Sequence, residues 1–215
     1  RLERRDIENV AFGDRSFENL SASAGVFVRP SQNWFLGATL ARTERAPTAI
    51  ELFADGPHLA TANYELGDPG LSQESGLSLE ASARYDSGPV RIELNLYRIG
   101  FQDYIALVER GDVWWVDEDP PGGEGFAADE ASAPLSTDII LPVFNSVQQD
   151  ATFTGGEISA TARLFDWAGF AISGDLGFDI VRAEFDGGGH PPRIPPQTLT
   201  LGLTAENAHW TGHFE

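Results

Sequence analysis

The sequence predicts an all-β fold: an antiparallel, up-and-down transmembrane β-barrel, here a partial barrel of about eight strands with long extracellular loops. Three observations carry that expectation. Apolar and polar residues alternate with period two through successive segments of roughly ten residues. The connections are short at 30–33, 86–89, 165–169 and 206–209, and long at 43–73, 109–150 and 186–196, in strict alternation. Aromatic residues gather beside the short turns: Trp34, Phe35, Tyr85, Phe165, Trp167, Phe170 and Trp210. A membrane barrel combines short turns at one end, long loops at the other and aromatic girdles at both interfaces.

The clearest element is a hairpin over 76–96. Leu77, Leu79, Ala81, Ala83 and Tyr85 share one face, and Ser78, Glu80, Ser82 and Arg84 share the other. Asp86-Ser87-Gly88-Pro89 supplies turn chemistry, and Val90, Ile92, Leu94 and Leu96 then alternate with Arg91, Glu93 and Asn95. In chain order, residues 1–10 read as the end of an earlier strand, and Gly13-Asp14-Arg15-Ser16 as a turn. Ala22 to Val28 and Trp34 to Leu40 alternate as strands around the 30–33 turn. The 43–73 excursion holds three prolines and a short helical turn at Pro47 to Phe53. Beyond Leu96 the apolar parity passes to Tyr97, Ile99 and Phe101, as a bulge or a departure from the bilayer into a loop would produce. Ile158 to Leu164, Phe170 to Ile180 and Leu199 to Ala205 are further strands, and a last one follows the turn near Asn207.

Composition narrows the class of function. The net charge is −19, from 33 acids against 14 arginines and no lysine, which repels phosphate backbones and argues against nucleic acid as a partner. Without cysteine there are no disulfides and no thiolate metal sites. No apolar run is long enough for a transmembrane helix, and the opening Arg1-Leu2-Glu3-Arg4-Arg5 is not a signal peptide; neither observation bears on a barrel, whose membrane signal lies in alternation. No catalytic motif stands out, so the chain does not read as an enzyme.

Several loop residues have ligand chemistry. His58 in the 43–73 loop and His190 in the 186–196 loop lie toward the long-loop end, where two imidazoles could converge on a transition metal. His209 and His213 flank a short turn at the other end and read as interface or lumen residues. Asp112, Asp117, Glu118, Asp119 and Glu124 crowd the largest loop, where oxygen ligands would suit a hard cation, although their spacing matches no EF-hand and a solvated acidic loop is the simpler account. Trp114 and Trp115 beside them would offer flat apolar contact to a ligand or to lipopolysaccharide if exposed, or would pack the loop's own base. The alternation alone also fits a soluble β-sandwich binding module with an acidic, cation-binding loop at 109–130; the sorting of connections by length favours the barrel.

The block from Arg45 to Asp86 resembles the barrel of TonB-dependent outer-membrane receptors. The resemblance lies in Arg45-Ala46-Pro47, Glu51-Leu52-Phe53, Gly56-Pro57-His58, Glu65-Leu66-Gly67-Asp68-Pro69 and Leu71-Ser72-Gln73-Glu74. The strand end from Arg98 to Ile105 and the run Pro192 to Gln197 are similar to the same family. The Gly-Pro-His element together with a His-bearing late loop is similar to its zinc-type branch. The resemblance implies a bacterial outer-membrane location, energised uptake of a metal–siderophore complex or metal ion, and a plug domain, the TonB system and outer-membrane lipid and lipopolysaccharide as partners. Metal or siderophore would enter as transported ligand, with no resident cofactor. Such receptors close about 22 strands around a plug; residues 1–215 therefore read as one segment of the barrel domain, without the plug.

Overall fold

The structure, a computed structural model, describes residues 1–7, 13–119, 122–135 and 137–215. Strands β1 (Leu2–Ile7) and β2 (Arg15–Leu20) form a separate two-stranded antiparallel sheet. The elements that follow are β3 (Ala22–Ser31), β4 (Trp34–Arg45), α1 (Ala49–Phe53), β5 (Asp55–His58), β6 (Asn63–Leu66), β7 (Glu74–Asp86), β8 (Val90–Asp117), β9 (Gly123–Ala127), β10 (Ile139–Trp167), β11 (Phe170–Phe185), β12 (Thr198–Glu206) and β13 (Thr211–Phe214). Eight of these form an unbroken meander in the order β13-β12-β11-β10-β8-β7-β4-β3, with β5, β6 and β9 attached to it. The chain divides into two compact units. The first comprises Arg1–Leu20, Glu44–Ser75 and Gln102–Asp150; the second comprises Ser21–Thr43, Gly76–Phe101 and Ala151–Glu215.

The second unit holds the four short turns and has two distinct faces. Cross-strand partners share a face in an antiparallel ladder, and the register aligns Ile158 with Phe178 and Leu199, Ala160 with Leu176 and Leu201, and Ala162 with Gly174, Leu203 and Phe214. The alternate rows align Thr161 with Asp175 and Gly202, and Arg163 with Ser173, Thr204 and His213. On that polar face Asp175 accepts from the hydroxyls of Thr161 (2.8 Å) and Thr204 (3.1 Å). The leucines are uncovered: Leu77, Leu79 and Leu201 are 55%, 58% and 61% exposed. A soluble sandwich would have buried these residues between two sheets, so that alternative is excluded.

Aromatic residues do gather at the short turns, on both faces of the sheet. Trp34 packs on Tyr85 (centroids 5.0 Å apart), while Trp167 and Phe165 pair with Phe170 and Ile172 on the apolar face. A register shift between Arg163 and Phe165 lets Leu164 lie near Gly174 while Phe165 pairs with Ile172, so two consecutive apolar residues share that face. Phe35, by contrast, stacks on Phe27 at 5.7 Å, and Phe27 alternates with the exposed Val26 and Val28, so this pair belongs to the polar face.

The parity change beyond Leu96 is not a bulge. Tyr97 lies against Gly155, Leu96 against Gly156 on the other side, and Phe101 against Gly76 and Phe153. Alternation therefore runs unbroken from Glu93, which meets Arg84, to Phe101. The side chains change instead: aromatic residues occupy the polar face, and Arg98, Gly100 and Gln102 take over the apolar one.

In the first unit the long connection expected over 109–150 is shorter than its composition suggests. Strand β8 runs on to Asp117 and β10 begins at Ile139, so only 118–138 connects them, with β9 folded back on β8 and a 3-10 turn at Glu130–Ser132. Acidic and glycine-rich composition argued for a loop, yet pairing of Val113 with Ala127 and Asp117 with Gly123 satisfies the backbone there. One pairing departs from the antiparallel pattern: β6 lies parallel to β10, with Tyr64 opposite Val143. The strand expected over residues 1–10 continues no meander but pairs with β2; its residues 8–10 fall outside the described residues, and the turn expected at 13–16 is strand from Arg15 onward.

Candidate functional site

The first unit is held together by a polar node at the start of the 46–73 segment. Arg45 ends β4 and donates to Glu51 (Nη1 to Oε2, 2.9 Å) and to Glu74 (Nη2 to Oε2, 3.1 Å). Glu74 is buried at the start of β7 and also accepts from the amide of Ile105 at 2.9 Å. Thr48 caps α1: its hydroxyl accepts from the Glu51 amide, and the Glu51 carboxylate accepts from the Thr48 amide at 2.7 Å. Burial would raise the pKa of Glu51, but the Arg45 hydrogen bond and the Thr48 amide outweigh it and hold the carboxyl below its ordinary value.

Below α1 the chain returns so closely that only glycine fits. A Cβ at Gly67 would lie 2.5 Å from the Phe53 nitrogen, while the Gly67 amide donates to the Ala54 carbonyl at 2.7 Å. Leu52 is fully buried with Leu71, Ala46, Ile105, Ile7 and Phe17. Arg15 donates to the carbonyls of Pro69 and Leu71, and Gln148 bonds both Ser72 and the carbonyl of Asp103. The result is an ordered, anchored segment.

A second cluster supports the β5–β6 hairpin. Tyr64 packs on Trp114 (5.0 Å) and edge-on against Phe126 (5.4 Å), with Leu141 and Val143 beneath. Arg110 lies 5.1 Å from the Phe126 centroid. The Tyr64 hydroxyl donates to Asp55 at 2.8 Å; burial, then the Asp55 hydrogen bond, push its pKa up to about 12.

The candidate ligand residues are distributed as follows. His58 ends β5, exposed, with Nδ1 2.6 Å from the Thr61 hydroxyl and 3.7 Å from Glu65 Oε1. His190 belongs to the other unit, where Nδ1 meets the Ala183 carbonyl at 2.9 Å. Trp114 is only 6% exposed, so the two tryptophans do not form an exposed pair: Trp114 packs the base of the loop, as burial of so large an apolar ring favours. Trp115 lies half-buried over Gly123 and Gly125 of β9. Asp117 accepts from the amide of Asp119, an Asx turn, and Asp138 accepts from the amide of Glu118. Asp112 is paired with Arg110. Among the described residues no group of three or more His, Asp or Glu side chains is gathered as a metal site.

Arg45, Glu51 and Glu74 each stand in a family-like motif, but nothing in their separate motifs signals that they form one network. The Thr48-x-x-Glu51 spacing, a capping-box signature, was the readable signal for the cap alone. Tyr64 and Phe126 carried no such signal, because their partners lie far along the chain.

A meander with an uncovered apolar face, a polar opposite face and elaborated connections at the long-loop side defines the wall of a membrane β-barrel. Residues 1–214 match the family described as TonB dependent receptor-like, beta-barrel, and the chain belongs to that family. Solved structures agree in fold. The copper transporter OprC superposes with a TM-score of 0.66 at 19% identity, covering 93% of this chain and 26% of that one. The FrpB iron transporter from Neisseria meningitidis (F3-3 variant) gives 0.58 at 15%, covering 96% and 27%. The siderophore receptor PirA from Acinetobacter baumannii gives 0.53 at 14%, covering 97% and 29%. The chain thus spans little more than a quarter of the length of these proteins, and at such identities the likeness is one of fold.

Proposed function

We propose that the chain builds part of the wall and outward-facing loops of a bacterial outer-membrane receptor that takes up a metal ion or a metal–siderophore complex. Uptake is energised through TonB, with a plug domain inside the barrel. Family membership supports this reading, as does likeness of fold to a copper transporter, an iron transporter and a siderophore receptor. The observation that carries it is the uncovered leucine face of the second unit, which is stable only against hydrocarbon. Ligand contact is assigned to long-loop residues of each unit taken separately: in the first, His58 as an imidazole donor, the half-buried Trp115 ring and the Asp117–Asp119 turn, with Trp114 buried at the loop's base; in the second, His190 as an imidazole donor.

The test uses the full-length receptor in cells depleted of metals. Uptake of labelled copper, zinc, ferric citrate and a ferric siderophore is measured with and without TonB. TonB-dependent uptake of one of these, reduced at least tenfold by H58A/H190A with the receptor at normal level in the outer membrane, supports the reading. Absence of the receptor from the outer membrane, or uptake indifferent to TonB, overturns it.

A further inference from the structure

We infer that the apolar face of the second unit ends in a phosphate-binding row, Arg98–Thr154–Arg182, occupied by the phosphorylated headgroup of lipopolysaccharide. This rests on the membrane-barrel reading above. Arg182 lies directly opposite Thr154, in unbroken register with Gly156 opposite Ile180 and Ile158 opposite Phe178, so both side chains stand on the leucine face. On β8, Leu96 meets Gly156 and Tyr97 meets Gly155; two residues further along these antiparallel strands, Arg98 comes level with Thr154. All three residues are exposed. Alternate strands are about 10 Å apart, so two arginines flanking a central hydroxyl can both close on one phosphate placed over Thr154.

The height of the row fits a headgroup. From Phe170 to Ile180, β11 advances about 33 Å, or about 25 Å along the membrane normal at the usual barrel tilt, the height of an apolar band. Arg182 is the next residue on that face, where arginine passes from costly at the midplane to nearly free at the interface. Below the row lie Leu96, Gly156 and Ile180, which suit acyl chains.

The charges are selective as well. In a chain of net charge −19, neither Arg98 nor Arg182 makes an ion pair among the described residues, although Glu184 stands one pair further along on the same face. Arg42, one step past Leu40 on β4, repeats the leucine-then-arginine pattern. The row also lies beyond the leucines as seen from the short turns at 87–89 and 168–169, hence on the side of the extracellular loops and the outer leaflet. Lipopolysaccharide is the phosphorylated lipid of that leaflet.

The experiment reconstitutes the delipidated full-length receptor in nanodiscs of phosphatidylglycerol alone, with lipid A bisphosphate, or with dephosphorylated lipid A, and counts retained lipid by native mass spectrometry. Wild type is expected to retain lipid A at least tenfold better than the dephosphorylated form, R98Q/R182Q to lose that preference, and R98K/R182K to recover part of it. R84Q/R163Q, an equal loss of charge on the polar face, should change nothing. Heat-modified gel mobility confirms that each variant is folded. Equal retention by wild type and R98Q/R182Q, indifference to the phosphates, or a preference for phosphatidylglycerol would overturn the proposal while the barrel reading stands. A receptor missing from the outer membrane defeats both.

Discussion

The two compact units use the same alternating strands and dispose of their leucines in opposite ways. In the first, Leu52, Leu71 and Val143 are sealed beneath α1, β6 and the returning chain. In the second, Leu77, Leu79 and Leu201 are equally regular in spacing and remain uncovered. The difference teaches that period-two alternation specifies two faces, not the medium each meets. A cover of protein makes one apolar face a core, and its absence makes the other a lipid surface.

The largest expected effect breaks the first unit. Leu52→Ala empties a fully buried site and should destabilise the 46–73 segment by about 2–5 kcal/mol. Faster hydrogen exchange and proteolysis of that segment in the full-length receptor would register it. The counterpart in the second unit is a pair of variants. Leu201→Arg should cost about 2–4 kcal/mol of folding stability in a bilayer, while Thr200→Arg on the opposite face costs close to nothing. Equal costs from denaturant titrations in liposomes would erase the distinction between the faces.

Glu74→Gln leaves Arg45 with one partner and weakens the bond to the Ile105 amide. A loss of about 2–3 kcal/mol is expected, since a charged hydrogen bond in a nearly buried site is broken. Smaller still is the pH response. Glu51 is held below its ordinary value of 4.5, so its contribution is complete above that pH and disappears as pH falls through the lower folded value. Exchange protection of the α1 amides, once corrected for intrinsic rates, should be flat from neutral pH down to the ordinary value and decline only below it. At the bottom of the scale, Arg84→Gln removes an ion pair to Glu93 at 2.9 Å between an exposed arginine and a half-buried glutamate, worth about 0–1 kcal/mol.

Much of the meander was readable beforehand, and the reason is local. The turn at 86–89 and the capped helix near Pro47–Phe53 depend on neighbours in sequence and stand where expected, and the turn expected at 165–169 narrows to Ala168–Gly169. The long strand extensions were misread as loop because glycine and acid content mimics loop composition. Their pairing partners, β9 for β8 and the parallel β6 for β10, lie far along the chain. Trp114 shows the same limit within the candidate site. Its type suggested contact with a ligand, whereas its burial depends on Tyr64, fifty residues earlier.

By itself the sequence determined the strand count of the meander, the sorting of short and long connections, and the family text from Arg45 to Asp86. These are written in periodicity, turn residues and motif spacing, all of which act over a few residues. Only the tertiary structure decided that Arg45, Glu51 and Glu74 form one node, that Tyr97 and Phe101 cross to the polar face without a bulge, and that Arg98 and Arg182 stand in one row. Those outcomes depend on register between strands distant in sequence, where a shift of a single residue would send every side chain to the other face.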